Sequence, residues 1–276
     1  MKPKKWSQIV QWLIIAVMII VALFPLYLVV INAFKTHAAI VENPLSFPVE
    51  FYWGNFVKAW KTGNFGTGFL NSVKLTFVTT LLVLFASAPA GYVLGMKKFR
   101  GMRLVQVYFL LAMTAPVQLF LFPLYAFLSK AGLLGNIYAV CFIIAAMNMP
   151  LSVMLMRSFF MKIPTQIEES ARLDGANTIQ LLAYIVVPIV RPGIITVAVL
   201  TVLNAWNEYL ISSTFLQGEK NFTIMLGYLS LNGGSVTFDQ GMKMAGALMI
   251  IGPVLVFFMS LQRYFVDGLT NGSVKE

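Results

Sequence analysis

The chain has 276 residues, of which 59% are hydrophobic and only 11% charged, with a formal net charge of +10. A soluble domain carries roughly 25% charged residues, so these numbers exclude a water-soluble globular enzyme. The 14% of aromatic residues excludes a disordered chain. A single cysteine, Cys141, rules out an internal disulfide framework and a cysteine-rich metal site. What remains is an all-α polytopic membrane protein.

In chain order, residues 1–8 form a short basic N-terminus, and the first predicted span is Ile9–Ile31. This apolar run of 23 residues, interrupted only by Gln11, exceeds a signal-peptide core, which is about 7–15 residues long. No small-residue cleavage site follows at Ile31-Asn32-Ala33-Phe34-Lys35. It therefore reads as an uncleaved helix, with a kink expected at Pro25. Residues 32–69 form an outer loop carrying Pro44, Pro48, Trp53 and Trp60, a composition suited to an interfacial cap. Residues 70–265 hold five further spans: Leu70–Leu94, Leu104–Leu128, Ile137–Met156, Ile194–Phe215 and Ala245–Phe265. Each approaches the roughly 20 apolar residues a bilayer core requires. Residues 266–276 remain as a tail.

Six spans place both termini on one side, and basic residues choose the side. The N-terminus, the second and fourth loops and the tail hold thirteen of the twenty, from Lys2 and Lys4 to Lys275, including every arginine. The positive-inside rule makes that side cytoplasmic, so both termini are inside.

The cytoplasmic loop 157–193 is the most informative stretch. Pro164 suits a helix start, and Ile163, Ile167 and Ala171 recur at intervals of four. Glu168 and Glu169 lie beside that face, and Asp174-Gly175 supplies a turn. A second amphipathic helix is predicted from Ile179, Leu182, Ala183 and Val186, interrupted by Pro188 and Pro192. Such a helix–turn–helix could rest on lipid headgroups or dock on a protein. Its mixed charges disfavour the first use.

This loop resembles the EAA loop of binding-protein-dependent ABC importer permeases. Glu169-Ser170-Ala171 is followed by Arg172, Leu173, Asp174 and then Gly175, and nine residues later by Ile185-Val186-Val187-Pro188. The departures are Ser170 for alanine and Val187 for leucine. The resemblance implies the type I ABC importer permease fold and a coupling helix docked on a cytoplasmic ATPase. The residues so implicated are Glu168, Glu169, Ser170, Ala171, Asp174, Gly175, Ala176, Ile185 and Pro188. In that arrangement Glu169 pairs with a basic residue of the ATPase, Ala171 sits flush in its groove, Gly175 makes the turn and Asp174 braces it.

Further stretches resemble the smaller, MalG-like subunits of maltose-type sugar importers. They are Phe24-Pro25-Leu26-Tyr27 leading to Phe34-Lys35-Thr36, Asn71-Ser72-Val73-Lys74, Trp206-Asn207-Glu208, and Gln262-Arg263-Tyr264-Phe265 with Gly268–Gly272. Glu276 departs from the small final residues of that branch. The resemblance implies a bacterial plasma-membrane subunit for a di- or oligosaccharide. Its partners would be a second, larger permease, two ATPase subunits, an extracytoplasmic solute-binding protein and membrane lipid, with no nucleic acid. This chain would bind no cofactor and catalyse nothing, because ATP and magnesium belong to the ATPase subunits. In agreement, the sequence contains no GxxxxGK[ST] phosphate loop.

Polar residues within a span are costly and informative. Asn204, Asn207 and Glu208 interrupt the fifth span, with Asn204 and Glu208 expected on one helix face. They suit either a polar wall along a sugar path or inter-helix hydrogen bonding, and the second is favoured. His37 is the only histidine, so no histidine dyad or metal site can form. Other readings are a permease for polyamine or glycerol phosphate and, from a different class, a proton-coupled secondary transporter using Glu208.

Overall fold

The computed structural model describes residues 5–231 and 239–273, and every regular element among them is a helix. Lys2 and Lys4 at one end and Lys275 and Glu276 at the other lie outside the described residues. The first helix, α1 (Lys5–Ala33), continues through Pro25, and its apolar side chains are exposed over most of its length. A helix apolar on all sides and bare in its own chain suits a lipid environment.

In chain order there follow α2 (His37–Glu42), α3 (Gly54–Thr62), α4 (Phe65–Met96), α5 (Met102–Thr114), α6 (Gln118–Lys130) and α7 (Ile137–Phe160). Next come α8 (Thr165–Leu173), α9 (Thr178–Gln180), a π-helical stretch over Leu181–Val186, and α10 (Val187–Ile189). The chain continues with α11 (Arg191–Trp206), α12 (Leu210–Phe215), α13 (Ile224–Ser230) and α14 (Gln240–Ser273). Among the described residues, α1, α4, α7 and α14 contain stretches long and apolar enough to cross a membrane unaided. Two bent pairs pass the same test as units: α5 with α6, and the α9–α10 segment with α11. The last helix runs on to Ser273, through most of the stretch the sequence leaves as a tail.

The chain divides into two compact units. One comprises residues 1–66 and 227–253, the other residues 67–226 and 254–276. In the first, the aromatic segment that follows α1 is folded around Phe34. Its ring meets Phe51 and Trp53 edge-on at 5.3 and 4.9 Å. Asn55 is fully buried, and its amide donates to the carbonyls of Ala33 and Lys35 at 2.8 and 2.7 Å. Lys35 donates in turn to Asn43 O and Ser46 Oγ, both at 3.1 Å. The segment between α1 and α4 is therefore ordered, held by side-chain donors to backbone carbonyls that would otherwise lack them.

In the second unit, two expected continuous spans are broken. The predicted helix Leu104–Leu128 is in fact α5 and α6, bent by 94°. Pro116 lacks an N–H and forces Ala115 into an extended conformation; hydropathy is blind to this, because the run stays apolar through it. The predicted helix Ile194–Phe215 ends at Trp206 and restarts at Leu210.

One close contact of this unit is between α4 and α7. A Cβ built on Gly91 would lie 2.5 Å from Met156 Cβ and 2.9 Å from Arg157 N; one on Gly95 would lie 2.9 Å from Phe160 Cβ. With the fully buried Ser87, these glycines give small residues at every fourth position, the spacing that lets apolar helices approach without a hydrophobic driving force. Gly91→Ala should overpack this contact and cost about 1–3 kcal/mol, read as a lower unfolding temperature of the detergent-solubilised protein. Gly252→Ala, whose Cβ meets nothing within 4 Å, should instead leave stability unchanged or raise it by about 0.5–1 kcal/mol. Equal effects of the two would refute the packing account.

Candidate functional site

The segment from Arg157 to Gly193 leaves the end of α7 and returns into α11. Pro164 takes an extended conformation, and its carbonyl accepts from Ile167 N as α8 begins. The inner face of α8 is apolar. Ile163 and Ala171 are buried and Ile167 half-buried against a cluster that includes Tyr92, Met156, Phe160 and Leu181.

The turn after α8 is closed by the backbone. Gly175 has φ +84°, Ala176 N donates to Ala171 O at 3.0 Å, and Gly175 N donates to Arg172 O at 3.1 Å. This paired pattern is a Schellman motif, and its left-handed residue favours glycine. Space is no constraint here, since a Cβ on Gly175 would meet nothing within 4 Å. Asp174 enters through its backbone N–H, which donates to Ser170 O at 3.0 Å.

The next helix opens on a capping box. Asn177 Oδ1 accepts from Gln180 N, and Gln180 Oε1 accepts from Asn177 N, both at 2.9 Å. The expected α-helical stripe of Ile179, Leu182, Ala183 and Val186 does not describe its inner face. Leu181, Val186 and Val190 are the buried residues, whereas Ile179 is 78% exposed. The cause is the π-helical turn over Leu181–Val186, where Val187 N donates back to Leu182 O, so the inward positions fall five apart before returning to four. Pro188 and Pro192 supply no N–H to the carbonyls four residues before them, and at Val190 the path bends by 74° into α11.

The two neighbouring glutamates have different surroundings. Glu168 is only 8% exposed, and one of its oxygens accepts from Lys97 Nζ and from Arg172, whose Nη2 lies at 3.0 Å. Lys97 also lies 5.3 Å above the Tyr92 ring, which packs edge-on against Phe160. Burial alone pushes the Glu168 carboxyl up, but the hydrogen bonds and charges of Lys97 and Arg172 outweigh it and hold it below the ordinary glutamate value. Lys97 loses something to burial but is held above the ordinary lysine value by Glu168 and Tyr92. Glu169, Ser170 and Asp174 are exposed, as is Pro188; Ala176 and Ile185 are half-buried. With Leu173 at 89% and Tyr184 at 79% exposure, they leave the hairpin with an acidic and apolar outer surface. The sequence reading missed Lys97, which it used only for orientation, although Glu168 and Arg172 carry an i,i+4 signal.

Asn204, Asn207 and Glu208 are not a single polar face. Asn204 Nδ2 donates to Asn148 Oδ1 at 2.9 Å, joining α11 to α7, and Asn148 donates onward to Ile144 O at 2.8 Å. Asn207 donates to Leu203 O at 2.9 Å. Glu208 lies beyond the end of α11, so its expected i,i+4 relation to Asn204 does not hold. Its carboxylate instead accepts from Ile211 N at 2.6 Å and from Ser212 N and Oγ at 2.9 and 2.8 Å. It caps α12, whose first N–H groups have no carbonyl partner.

Glu168→Gln should loosen α8. Hydrogen bonds to charged groups contribute about 1.5–3 kcal/mol each, so amide exchange over residues 165–176 should quicken by about tenfold or more. The pH dependence follows from the shifts. A depressed glutamate contributes fully above its unfolded pKa, about 4.3, and its contribution is lost as pH falls through the lower folded value. The raised lysine contributes at all lower pH and is lost only as pH rises past its folded value. Protection should therefore be flat across neutral pH in the wild type and fail in acid and strong alkali. Unchanged exchange in the variant would refute the ionic contact.

The model of the family "Binding-protein-dependent transport system inner membrane component" matches residues 87–271. A Bacillus subtilis protein named "Probable ABC transporter permease protein YurM" is 32% identical over 99% of this chain and 92% of its own length. The arabinooligosaccharides transport system permease protein AraQ of Halalkalibacterium halodurans is 29% identical over 99% of both chains. A solved bacterial ABC transporter involved in the import of the acidic polysaccharide alginate has the same fold, with a TM-score of 0.82 over 96% of this chain and 98% of its own at 22% identity. The family leaves no place for the proton-coupled alternative, whose proposed carrier, Glu208, is in any case engaged as a helix cap. The chain belongs to the binding-protein-dependent transport system inner membrane components, and is a multi-pass ABC importer permease of the bacterial inner membrane.

Proposed function

We propose that this chain is one permease subunit of an ATP-driven importer for a di- or oligosaccharide. In this reading it crosses the membrane six times with both termini inside, counting each bent pair as one span. The observation that carries the proposal is the two-sided hairpin: Ile163, Ala171 and Leu181 fasten it to the spans, while Glu169, Leu173, Ile179 and Tyr184 are bare. Large apolar side chains left exposed in a folded hairpin suit a partner surface. The partner is a cytoplasmic ATPase, which binds the ATP and magnesium. Leu173, Ile179 and Tyr184 supply apolar contact and Glu169 meets a basic residue, while Ala171 serves the inner packing. Closure of two ATPase subunits then shifts the spans between inward-open and outward-open states.

A second, larger permease completes the translocation path, and an extracytoplasmic binding protein delivers the solute. Asn204 and Asn207, exposed in this chain, supply polar groups along that path. Sugar as the cargo is supported by AraQ, which is named for arabinooligosaccharides, and by the resemblance of Trp206-Asn207-Glu208 to sugar-importer subunits.

Purification of the tagged chain from native membranes should recover a second permease and a nucleotide-binding subunit, and the cells should lose uptake of one oligosaccharide when the chain is deleted. Recovery of the chain alone, or loss of polyamine or glycerol phosphate uptake instead, would overturn the assembly or the cargo respectively. Glu169→Lys should leave the protein in the membrane and reduce uptake by an order of magnitude or more, through charge reversal at the interface. Wild-type uptake in that variant would remove Glu169 from the coupling surface.

A further inference from the structure

Between the end of α4 and the end of α7 lies a cavity of about 280 Å³. Lys97, Lys98 and Arg157 line it, no acidic residue does, and Met96, Met102 and Met161 are among its apolar lining. The Nε of Arg157 is buried and has no hydrogen-bond partner among the described residues. A buried charged donor in that state is costly unless something supplies an acceptor. The carboxylate bonded to the lining residue Lys97 is Glu168, which is not in the lining and shares the same oxygen with Arg172, so the lining itself is cationic. The chain just beyond α4 reads Lys97-Lys98-Phe99-Arg100-Gly101-Met102-Arg103, with four basic residues in seven.

We propose that this cavity holds the phosphate of an anionic phospholipid. The phosphate oxygens meet Lys98 and the guanidinium of Arg157, and the methionines face the glycerol and the upper acyl carbons, where their flexible thioethers fit an irregular shape. Basic pockets between spans on the cytoplasmic side suit anionic headgroups, because that leaflet carries a negative surface potential. The placement on that side rests on the orientation proposed above. Lys97 belongs both to the cavity wall and to the ion pair with Glu168, so an occupied cavity competes for the lysine that holds α8. Lipid composition thereby acts on the same hairpin proposed to meet the ATPase.

The test is native mass spectrometry of the intact importer, released from nanodiscs of phosphatidylcholine mixed with phosphatidylglycerol. The wild type should retain phosphatidylglycerol. Lys98→Ala and Arg157→Gln should each lower retention about fivefold, the factor expected per basic residue at an anionic surface. Arg103→Ala, in the same basic run but outside the cavity lining, should not. Equal retention in all four proteins would overturn the proposal in favour of diffuse surface attraction. Displacement of the lipid by inorganic phosphate would overturn it in favour of a soluble anion site, and loss of the ATPase subunit from Lys98→Ala without change in bound lipid would assign the cavity to an acidic side chain of the partner. If Arg157→Gln does not fold, the exposed Lys98 decides the matter alone. Labelling of Lys98→Cys in intact cells by an impermeant maleimide separately tests the orientation: modification there would overturn the sidedness while leaving the retention results to stand on their own.

Discussion

The way the hairpin sits on the second unit depends on one buried carboxylate. Glu168 has little access to water, and an isolated charge in such a place would neutralise itself or move out. It stays charged because Lys97, just past α4, and Arg172, one turn further along α8, converge on it. Each partner is itself partly exposed, so the geometry avoids the full desolvation cost of a dry ion pair. The consequence is positional. The first helix of the hairpin cannot roll about its axis without exposing Ile163 and Ala171 or stranding the carboxylate.

The same accounting governs the spans. Water is scarce where these helices lie, so every break must find its own donors and acceptors. Glu208 serves the start of α12 with a carboxylate, Asn204 donates to Asn148 across α11 and α7, and Asn148 and Asn207 each donate to a carbonyl four residues back. Polar residues inside apolar runs are here chiefly devices for breaking or joining helices. Glycines do the complementary task at Gly91 and Gly95, where backbone approaches side chain too closely for any Cβ.

Composition and apolar run length made the helical membrane class legible, because lipid imposes so strong a filter on side chains. They did not reveal the breaks. Pro116 sits in a run that hydropathy scores as continuous, and Glu208 reads as an intruding charge until its helix is seen to start two residues later. In the hairpin, the turn was legible because Asp174-Gly175 needs a left-handed residue. The second helix was read in the wrong register, since a period of 3.6 cannot anticipate the π-helical turn before Pro188. Glu168 and Glu169, neighbours about 100° apart on the helix, differ in sequence only by the i,i+4 spacing of Glu168 to Arg172. The second cation, Lys97, comes from the end of another helix, which local spacing does not reveal.

That difference matters for any segment asked to transmit a push. A hairpin held only by lipid would yield before the spans did. Here the inner face is fixed by an apolar cluster built from the ends of α4, α7 and α11, and by an ion pair to the residue that follows α4. Load applied to Glu169, Leu173 or Tyr184 therefore meets two kinds of restraint, which fail under different conditions. Apolar packing carries no titrating charge and is not screened by ions, whereas the ionic contact responds to both pH and ionic strength. The arrangement makes the hairpin rigid toward its own spans while leaving one adjustable connection, at Lys97, through which the charge of the surroundings can alter how firmly that rigidity is held.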